Sequence, residues 1–310
     1  MTNTTTALPA LAQHVAEVVR QAMSEIRPRL VQAALSGDRG ESTNLRHTDN
    51  FLSVHDMWMH RQYRETLARS LTSFVYASEE AEPQVVGDDP DPDLCVLVDP
   101  LDTSELAVRG LHGYTHVMVY SRAQARPIIA VIGDIYHHIQ LYVAARDDHG
   151  SDRAHIITAD STVHPLTHRN PKPLAESLIT NYLMRPTERF AALARQQRLI
   201  AALSQTAPDG KSRGRIGVDF GSVSLCHVAA GFTDAVVEFA KGFAIWDLSP
   251  GHYFLHAAGG AVVDLQGDPI SLDYGLDSLD DIARAMDIRQ RFVAARSTDL
   301  AREIVRTLDT

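Results

Sequence analysis

Two aspartates three residues apart close an apolar run: Asp99 and Asp102, in the stretch LVDPLDTSEL at residues 97–106. Residues 94–98, Leu-Cys-Val-Leu-Val, have the unbroken apolar pattern of a strand buried on both faces. Asp99 is then expected at the strand's C-terminal end, where open α/β sheets hold ligands. Pro100 fixes φ and removes a donor, so the chain should turn sharply there, swinging Asp102 beside Asp99 and exposing the Leu101 carbonyl between them. Two carboxylates and a carbonyl form an all-oxygen donor set, suited to Mg²⁺, Ca²⁺ or Mn²⁺ and poorly suited to zinc. Taken alone, the same residues read equally well as a surface Asp-Pro turn followed by a helix-capping Asp.

More acid sits at other junctions. Glu79-Glu80 follow the strand-like residues 74–77, Asp247 lies at a strand-to-helix transition in WDLSPG, and Asp49 precedes the second helix in HTDNF. Each by itself reads as a helix cap or a solvated acid. Together they would bring like charges close enough to require a cation. The fifteen histidines add less. His137 and His138 point to opposite faces of a strand, and His112 and His116, which flank Gly113, are set behind the carboxylates as ligands.

The elements that must position these groups follow from periodicity. Residues 9–35 carry apolar positions at helical spacing with a kink or break expected near Pro28, and residues 53–71 give a second helix. Short strand-like runs follow at 74–77, 94–98, 116–120, 128–132 and 139–144. Tight polar breaks make the last three an antiparallel meander. The second half reads as strand 177–183, helix 186–204, helix 221–231, strand 235–239, helix 248–258, strands 261–264 and 292–295, and a closing helix 300–308. Strands that first cluster and later alternate with helices indicate a layered α/β (α+β) fold with a sheet in each half. The weakly periodic residues 150–173 are the boundary candidate, giving halves 1–160 and 161–310.

Composition limits the rest. The chain has 310 residues, 45% of them hydrophobic, and a formal charge of −10 without a basic block, so a nucleic-acid footprint is not expected. An acidic protein that handles an anion needs local cations, which points again to metal. The two cysteines, Cys95 and Cys226, sit in apolar runs and read as buried thiols of a reducing compartment. No signal-peptide layout or membrane-length apolar run is visible, so a cytoplasmic protein without a membrane partner is expected.

The motifs ASEE (77–80), DPLDTS (99–104) and WDLSPGHYFLHAAGG (246–260), in this order, resemble those of the inositol monophosphatase superfamily of Mg²⁺-dependent, lithium-sensitive phosphatases, which includes fructose-bisphosphatase and 3′-nucleotidase relatives. The 20-residue spacing from Glu79 to Asp99 suits that family, and FVAARSTDLAREIVRTL (292–308) resembles its last strand and helix. The resemblance implies an α-β-α-β-α sandwich with two sheets, two or three Mg²⁺ ions and a homodimer. It implies that Glu79, Asp99 and the Leu101 carbonyl hold a first ion, that Asp99, Asp102 and Asp247 hold a second, and that Glu80 acts nearby, through water to a third. Asp49 and Ser104, with Glu79, would activate water. The N–H groups of Thr103 and Ser104 would receive phosphate at a helix start, and Glu238 would contact a substrate hydroxyl.

Departures from the family pattern bear on activity. Thr103 stands where glycine is usual, and a β-branched residue crowds any positive-φ geometry. Pro250 falls where small residues are usual, and His256 replaces a usual Glu. The nine residues from Glu238 to Asp247 are slightly more than expected, and Lys241, within them, would reach a second anionic group of the substrate. The expected activity is hydrolysis of a small phosphate monoester (cyclitol, sugar or nucleotide phosphate) by metal-activated water. The alternatives are a divergent reaction of the same metal site on a phosphorylated specialised metabolite, and a non-catalytic phosphate-binding relative.

Overall fold

The protein is described here by a computed structural model covering residues 8–44, 46, 50–166, 172–206 and 210–309. The chain divides into two compact units, Met1–Pro165 and Leu166–Thr310. It is a mixed α/β protein with a large sheet in each unit.

In the first unit, α1 (Ala10–Ser36) is followed by the two-residue strands β1 (Glu41–Ser42) and β2 (Leu52–Ser53), then α2 (Val54–Ala68). β3 (Ser73–Ser78), β4 (Ala81–Gly87) and β5 (Leu94–Asp102) lead to the short α3 (Ser104–Ala107), and β6 (Tyr114–Ser121), β7 (Arg126–Asp134), β8 (Ile139–Arg146), β9 (Asp152–Thr158) and β10 (Val163–Pro165) complete the unit. Its eight-stranded sheet has the order β10-β9-β8-β7-β6-β5-β3-β4. β6, β7 and β8 form the antiparallel meander that the polar breaks predict, whereas β3 and β5 pair in parallel. One stripe of α1, including Val15, Val19, Met23, Ile26 and Leu30, is fully buried in the same apolar core as Val96, Val117 and Val131 of the sheet.

Three features differ from expectation here. α1 runs through Pro28 without a break. β5 does not end at Val98 but continues through Pro100 to Asp102, with a register shift against β6. Pro100 is accommodated in that irregular stretch, where a missing donor costs no regular ladder bond. β4, unforeseen, is an edge strand with Pro83 inside it. Its part-exposed residues lack the apolar run that would mark a strand.

The second unit contains a 3₁₀ turn (Leu174–Glu176), β11 (Leu178–Asn181), a wide π-helical turn (Pro186–Phe190), α4 (Ala191–Ala194), α5 (Gln197–Leu203), β12 (Arg215–Val218), α6 (Gly221–Ala230), β13 (Ala235–Phe243), α7 (Ile245–Ala257), β14 (Ala261–Val263), α8 (Leu279–Asp287), β15 (Gln290–Ala295) and α9 (Thr298–Thr307). Its sheet has the order β12-β11-β13-β15-β14. The single helix expected over 186–204 is instead three pieces. The Arg185 carbonyl accepts from both Arg189 and Phe190, widening the first turn, and Arg189 is drawn inward to a buried ion pair with Glu238. A lone guanidinium taken out of water requires such a partner, and meeting it outweighs regular helix geometry.

α7 begins three residues before the expected helix, which places Pro250 inside it. The proline is tolerated through a neighbour. The Ser222 hydroxyl on α6 donates to the Asp247 carbonyl at 2.5 Å and accepts from the Gly251 N–H at 3.2 Å, bridging an i→i−4 link. Gly251 is required by the same approach, since a Cβ there would lie 2.5 Å from the Ser222 carbonyl oxygen.

Candidate metal and catalytic centre

Residues three apart on a regular strand face opposite sides of a sheet. Asp99 and Asp102 escape this rule through the β5 irregularity. Asp99 pairs with His116 and Asp102 with Tyr114, so two intervening residues on β5 oppose one, Thr115, on β6. The extra residue is a bulge, and it returns both carboxylates to one face. Asp99 is buried at 1% exposure and Asp102 nearly so at 12%.

The bulge is tethered from below. Tyr63 of α2 donates to the Thr115 hydroxyl at 2.7 Å, and that hydroxyl donates to the Asp99 carbonyl at 3.2 Å. Burial pushes the Tyr63 phenol up, so it stays a neutral donor. On the other side, the turn carrying Glu79 and Glu80 is fixed by the Glu79 N–H, which donates to the Val98 carbonyl at 3.1 Å. Both glutamates are half-buried. The Glu80 carboxyl is raised to about 7, first by burial and then by the negative charge of Asp56, with Arg46 opposing.

Asp56 is the residue that sequence reasoning missed. It lies in the first turn of α2, where its side chain accepts from the Ser53 N–H at 2.8 Å and the Ser53 hydroxyl at 2.6 Å, in a capping box. Its other oxygen meets the Ser104 hydroxyl, which also lies 2.7 Å from the Leu101 carbonyl. Burial raises the Asp56 carboxyl, and the bonds from Ser104 and Ser53 oppose that rise. Among the described residues the carboxylate that Ser104 meets is Asp56. Asp49 lies outside the described residues. The signal was present: Ser53-Val-His-Asp56 at a helix start is the capping pattern.

Thr103 adopts φ 60° and ψ 38°, the left-handed conformation that glycine takes without strain and a β-branched residue takes at a cost. Its hydroxyl donates to the Asp102 carbonyl at 2.6 Å. Ser104 opens α3, where the expected anion-facing N–H groups lie.

His116, set aside on the sequence, belongs with the carboxylates. Its ring is fully buried, with Nδ1 3.7 Å from Asp99 Oδ2 and Nε2 3.4 Å from Asp102 Oδ2. Asp99, Asp102 and His116 each offer a donor atom within 4.8 Å of the others. The donor chemistry fits a divalent ion, because two buried carboxylates on one face repel unless a cation is shared between them.

In the second unit, Asp247 occupies the first turn of α7, where the helix dipole favours a carboxylate. It is half-buried, and its backbone is held by the Ala244 carbonyl and by Ser222. Glu238 is buried. Its Oε1 accepts from the N–H groups of Ala240, Lys241 and Gly242 at 3.1–3.2 Å, and its Oε2 pairs with Arg189. Those contacts engage both oxygens that were expected to meet a substrate hydroxyl. Arg189 also lies over the Tyr182 ring at 4.5 Å. Burial lowers the Arg189 guanidinium, while Tyr182 and Asp247 raise it. Lys241 is exposed, 3.7 Å from Glu188.

The model of the inositol monophosphatase family matches residues 1–306. A Nus factor SuhB of Pasteurella multocida is 25% identical over 225 residues, covering 73% of this chain and 76% of that protein. Inositol monophosphatase 2 of Homo sapiens is 30% identical over 100 residues, 32% of this chain and 29% of that protein. The crystal structure of the extragenic suppressor protein SuhB from Bartonella henselae shares the fold, with a TM-score of 0.64 at 19% identity over 96% of this chain and 98% of that one.

Proposed function

The chain belongs to the inositol monophosphatase family, and from that premise we propose that it is a Mg²⁺-dependent phosphomonoesterase acting on a small cyclitol, sugar or nucleotide phosphate. The observation that carries the reading is the Ser104 hydroxyl, set between the Asp56 carboxylate and the Leu101 carbonyl next to the Asp99–Asp102 bulge. A simple anion-binding pocket has no need of a hydroxyl wired to a buried carboxylate.

By the family pattern, Glu79, Asp99 and the Leu101 carbonyl would hold one ion, Asp99, Asp102 and Asp247 a second, and Glu80 a third through water. Bound ions would offset phosphoryl charge, acidify a water and stabilise the departing alkoxide. The chain's own residues handle the proton. Ser104 carries one hydroxyl proton and has two acceptors, so a Leu101 carbonyl committed elsewhere leaves Asp56 as its acceptor. Asp56, raised by burial, is then a base of useful strength for a proton passed through Ser104. The N–H groups of Thr103 and Ser104 orient the phosphate, and Lys241 meets a second anionic group of the substrate. Lithium sensitivity, a homodimer and a cytoplasmic setting belong to the same reading.

A second reading, a regulatory relative that binds without turnover, draws on the similarity to a Nus factor and on the strained Thr103. Phosphate release from a panel of sugar, cyclitol and nucleotide phosphates separates the two. Mg²⁺-dependent release that Li⁺ inhibits and Asp102→Asn abolishes supports the phosphatase, and an increase in KM without loss of kcat in Lys241→Ala supports its substrate contact. Metal-dependent binding without release supports the regulator.

A further inference from the structure

We propose that the open groove between α1 and α2 is a second anion site, which takes the phosphate group of a small phosphorylated molecule on Arg29 and Arg61 without a metal ion. The groove has a volume of about 640 Å³ and is lined by Arg29, Gln32, His55, Trp58 and Arg61 among others. That size is usual for a small-molecule site.

Helix geometry builds it. Arg29, Gln32 and Ser36 of α1 are spaced i, i+3 and i+7, and Val54, Trp58 and Arg61 of α2 are spaced i, i+4 and i+7, so each set shares one face. Trp58 follows Asp56 by two residues, about 200° around the helix. It therefore leaves α2 on the side away from the Asp56 carboxylate that meets Ser104, and the groove is separate from the catalytic centre. The rim is tied at both ends. Gly37 caps α1 in the left-handed conformation, the Asp38 N–H donates to the Ser36 hydroxyl at 3.2 Å, and the Gly40 carbonyl accepts from the Val54 N–H at 2.9 Å.

Charge gives the groove its sign. In a chain of net charge −10, its lining carries two arginines against one acid, Asp38. Asp38 turns one oxygen to the Gly40 N–H at 3.1 Å. Among the described residues neither arginine pairs with a carboxylate. Arg29 lies over the Trp58 ring, 4.4 Å from its centroid. A guanidinium held by its face keeps its in-plane N–H donors, and a fixed fork of donors is what a phosphate oxygen pair accepts from. His55 adds a neutral ring, because burial first and Arg29 second lower its imidazole, with Asp38 opposing.

The groove carries its own reporter. The protein has two tryptophans, and Trp246 is 1% exposed, so a ligand on Arg29 should change the emission of Trp58. The test titrates full-length protein in chelator, where no metal ion can hold phosphate at the catalytic centre, with inorganic phosphate, adenosine monophosphate and inositol monophosphate. A saturable emission change is expected, absent in Trp58→Phe. Calorimetry should show affinity at least about tenfold weaker in Arg29→Met and in Arg61→Met. Equal affinity for the three ligands assigns recognition to the phosphate alone, and tighter binding of one ester adds contacts to the rest of that ligand. No saturable binding, unchanged affinity in both arginine variants, or the same emission change with chloride at matched ionic strength overturns the site. Metal-dependent phosphate release is measured separately, so either reading can fail without the other.

Discussion

At the scale of single residues, the pair proposed to handle the proton, Asp56 and Ser104, is the most exposed to test. Asp56 accepts from Ser104 and from Ser53, so Asp56→Asn keeps the shape of the cap while removing the base. Turnover of the best phosphate ester is expected to fall about 10²–10⁴-fold, the usual worth of a positioned base, with KM and far-UV circular dichroism little changed. A variant retaining near-wild-type kcat would remove Asp56 from the mechanism. Thr103 gives a second prediction. Its left-handed backbone costs a β-branched residue about 1–2 kcal/mol, and glycine relieves that while adding unfolded-state entropy worth about 0.5–1 kcal/mol. Thr103→Gly should therefore stabilise by up to about 1 kcal/mol in urea unfolding, and a destabilised variant would show that the Thr103 hydroxyl bond to the Asp102 carbonyl outweighs the strain. Asp99, Leu101, Asp102 and Ser104 could be singled out because they share one short stretch, DPLDTS, and the β5 register shift lies between Asp99 and Asp102. Asp56 and His116 could not. A capping aspartate has an ordinary structural use, and a histidine's meaning depends on which residue lies across the sheet, which no local pattern states.

At the scale of elements, legibility followed burial. β6, β7 and β8 are buried along nearly their whole length and read directly from apolar runs. The edge strand β4 and the strand β9, Asp-Arg-Ala-His-Ile-Ile-Thr, carry mixed composition and did not. The 186–204 helix failed for another reason: its 3.6-residue pattern is genuine, but a distant partner, Glu238, pulls Arg189 out of it. α7 supplies a prediction of its own. His252 is buried at 3% exposure, shares a 2.9 Å hydrogen bond with Tyr274, and has its imidazole lowered to about 3, by burial first and by His256 second. The folded chain keeps this ring neutral while the unfolded chain protonates it near 6.5. Stability from His252 is thus complete above about pH 6.5 and is lost as pH falls toward 3, by up to about 1.4 kcal/mol per pH unit. His252→Asn, which can still bond Tyr274, should flatten the acid limb of the unfolding free energy between pH 6 and 4. Parallel limbs for the two proteins would assign the acid lability elsewhere.

At the scale of the whole molecule, the family is written in three separated motifs and in a match spanning residues 1–306, while the substrate is not written anywhere so compactly. Lys241, proposed above as a substrate contact, lies 3.7 Å from Glu188, and no motif states which group of a substrate it would meet. Among the described residues no helix is long and apolar enough to cross a membrane. What the whole chain does share is a net charge of −10 and acids placed at the ends of strands and helices, and folding must bring some of that charge together. The native state is therefore the species that gains from a divalent ion, since the unfolded chain can spread the same carboxylates apart. By mass action an ion at 100 times its dissociation constant stabilises by about 2.7 kcal/mol. At the rough exchange of 2–4 °C per kcal/mol for a larger chain, that is a rise in Tm on the order of 5–10 °C. Asp102→Asn removes one carboxylate from the bulge and should lose most of this rise while leaving the ion-free Tm equal or higher, because one repulsive neighbour of Asp99 is gone. Calorimetric scans of both proteins with chelator, with Mg²⁺ and with Mn²⁺ distinguish this from nonspecific screening: K⁺ at matched ionic strength should reproduce none of the wild-type rise. An equal ion-induced shift in wild type and variant would mean that the bulge is not where the ion binds.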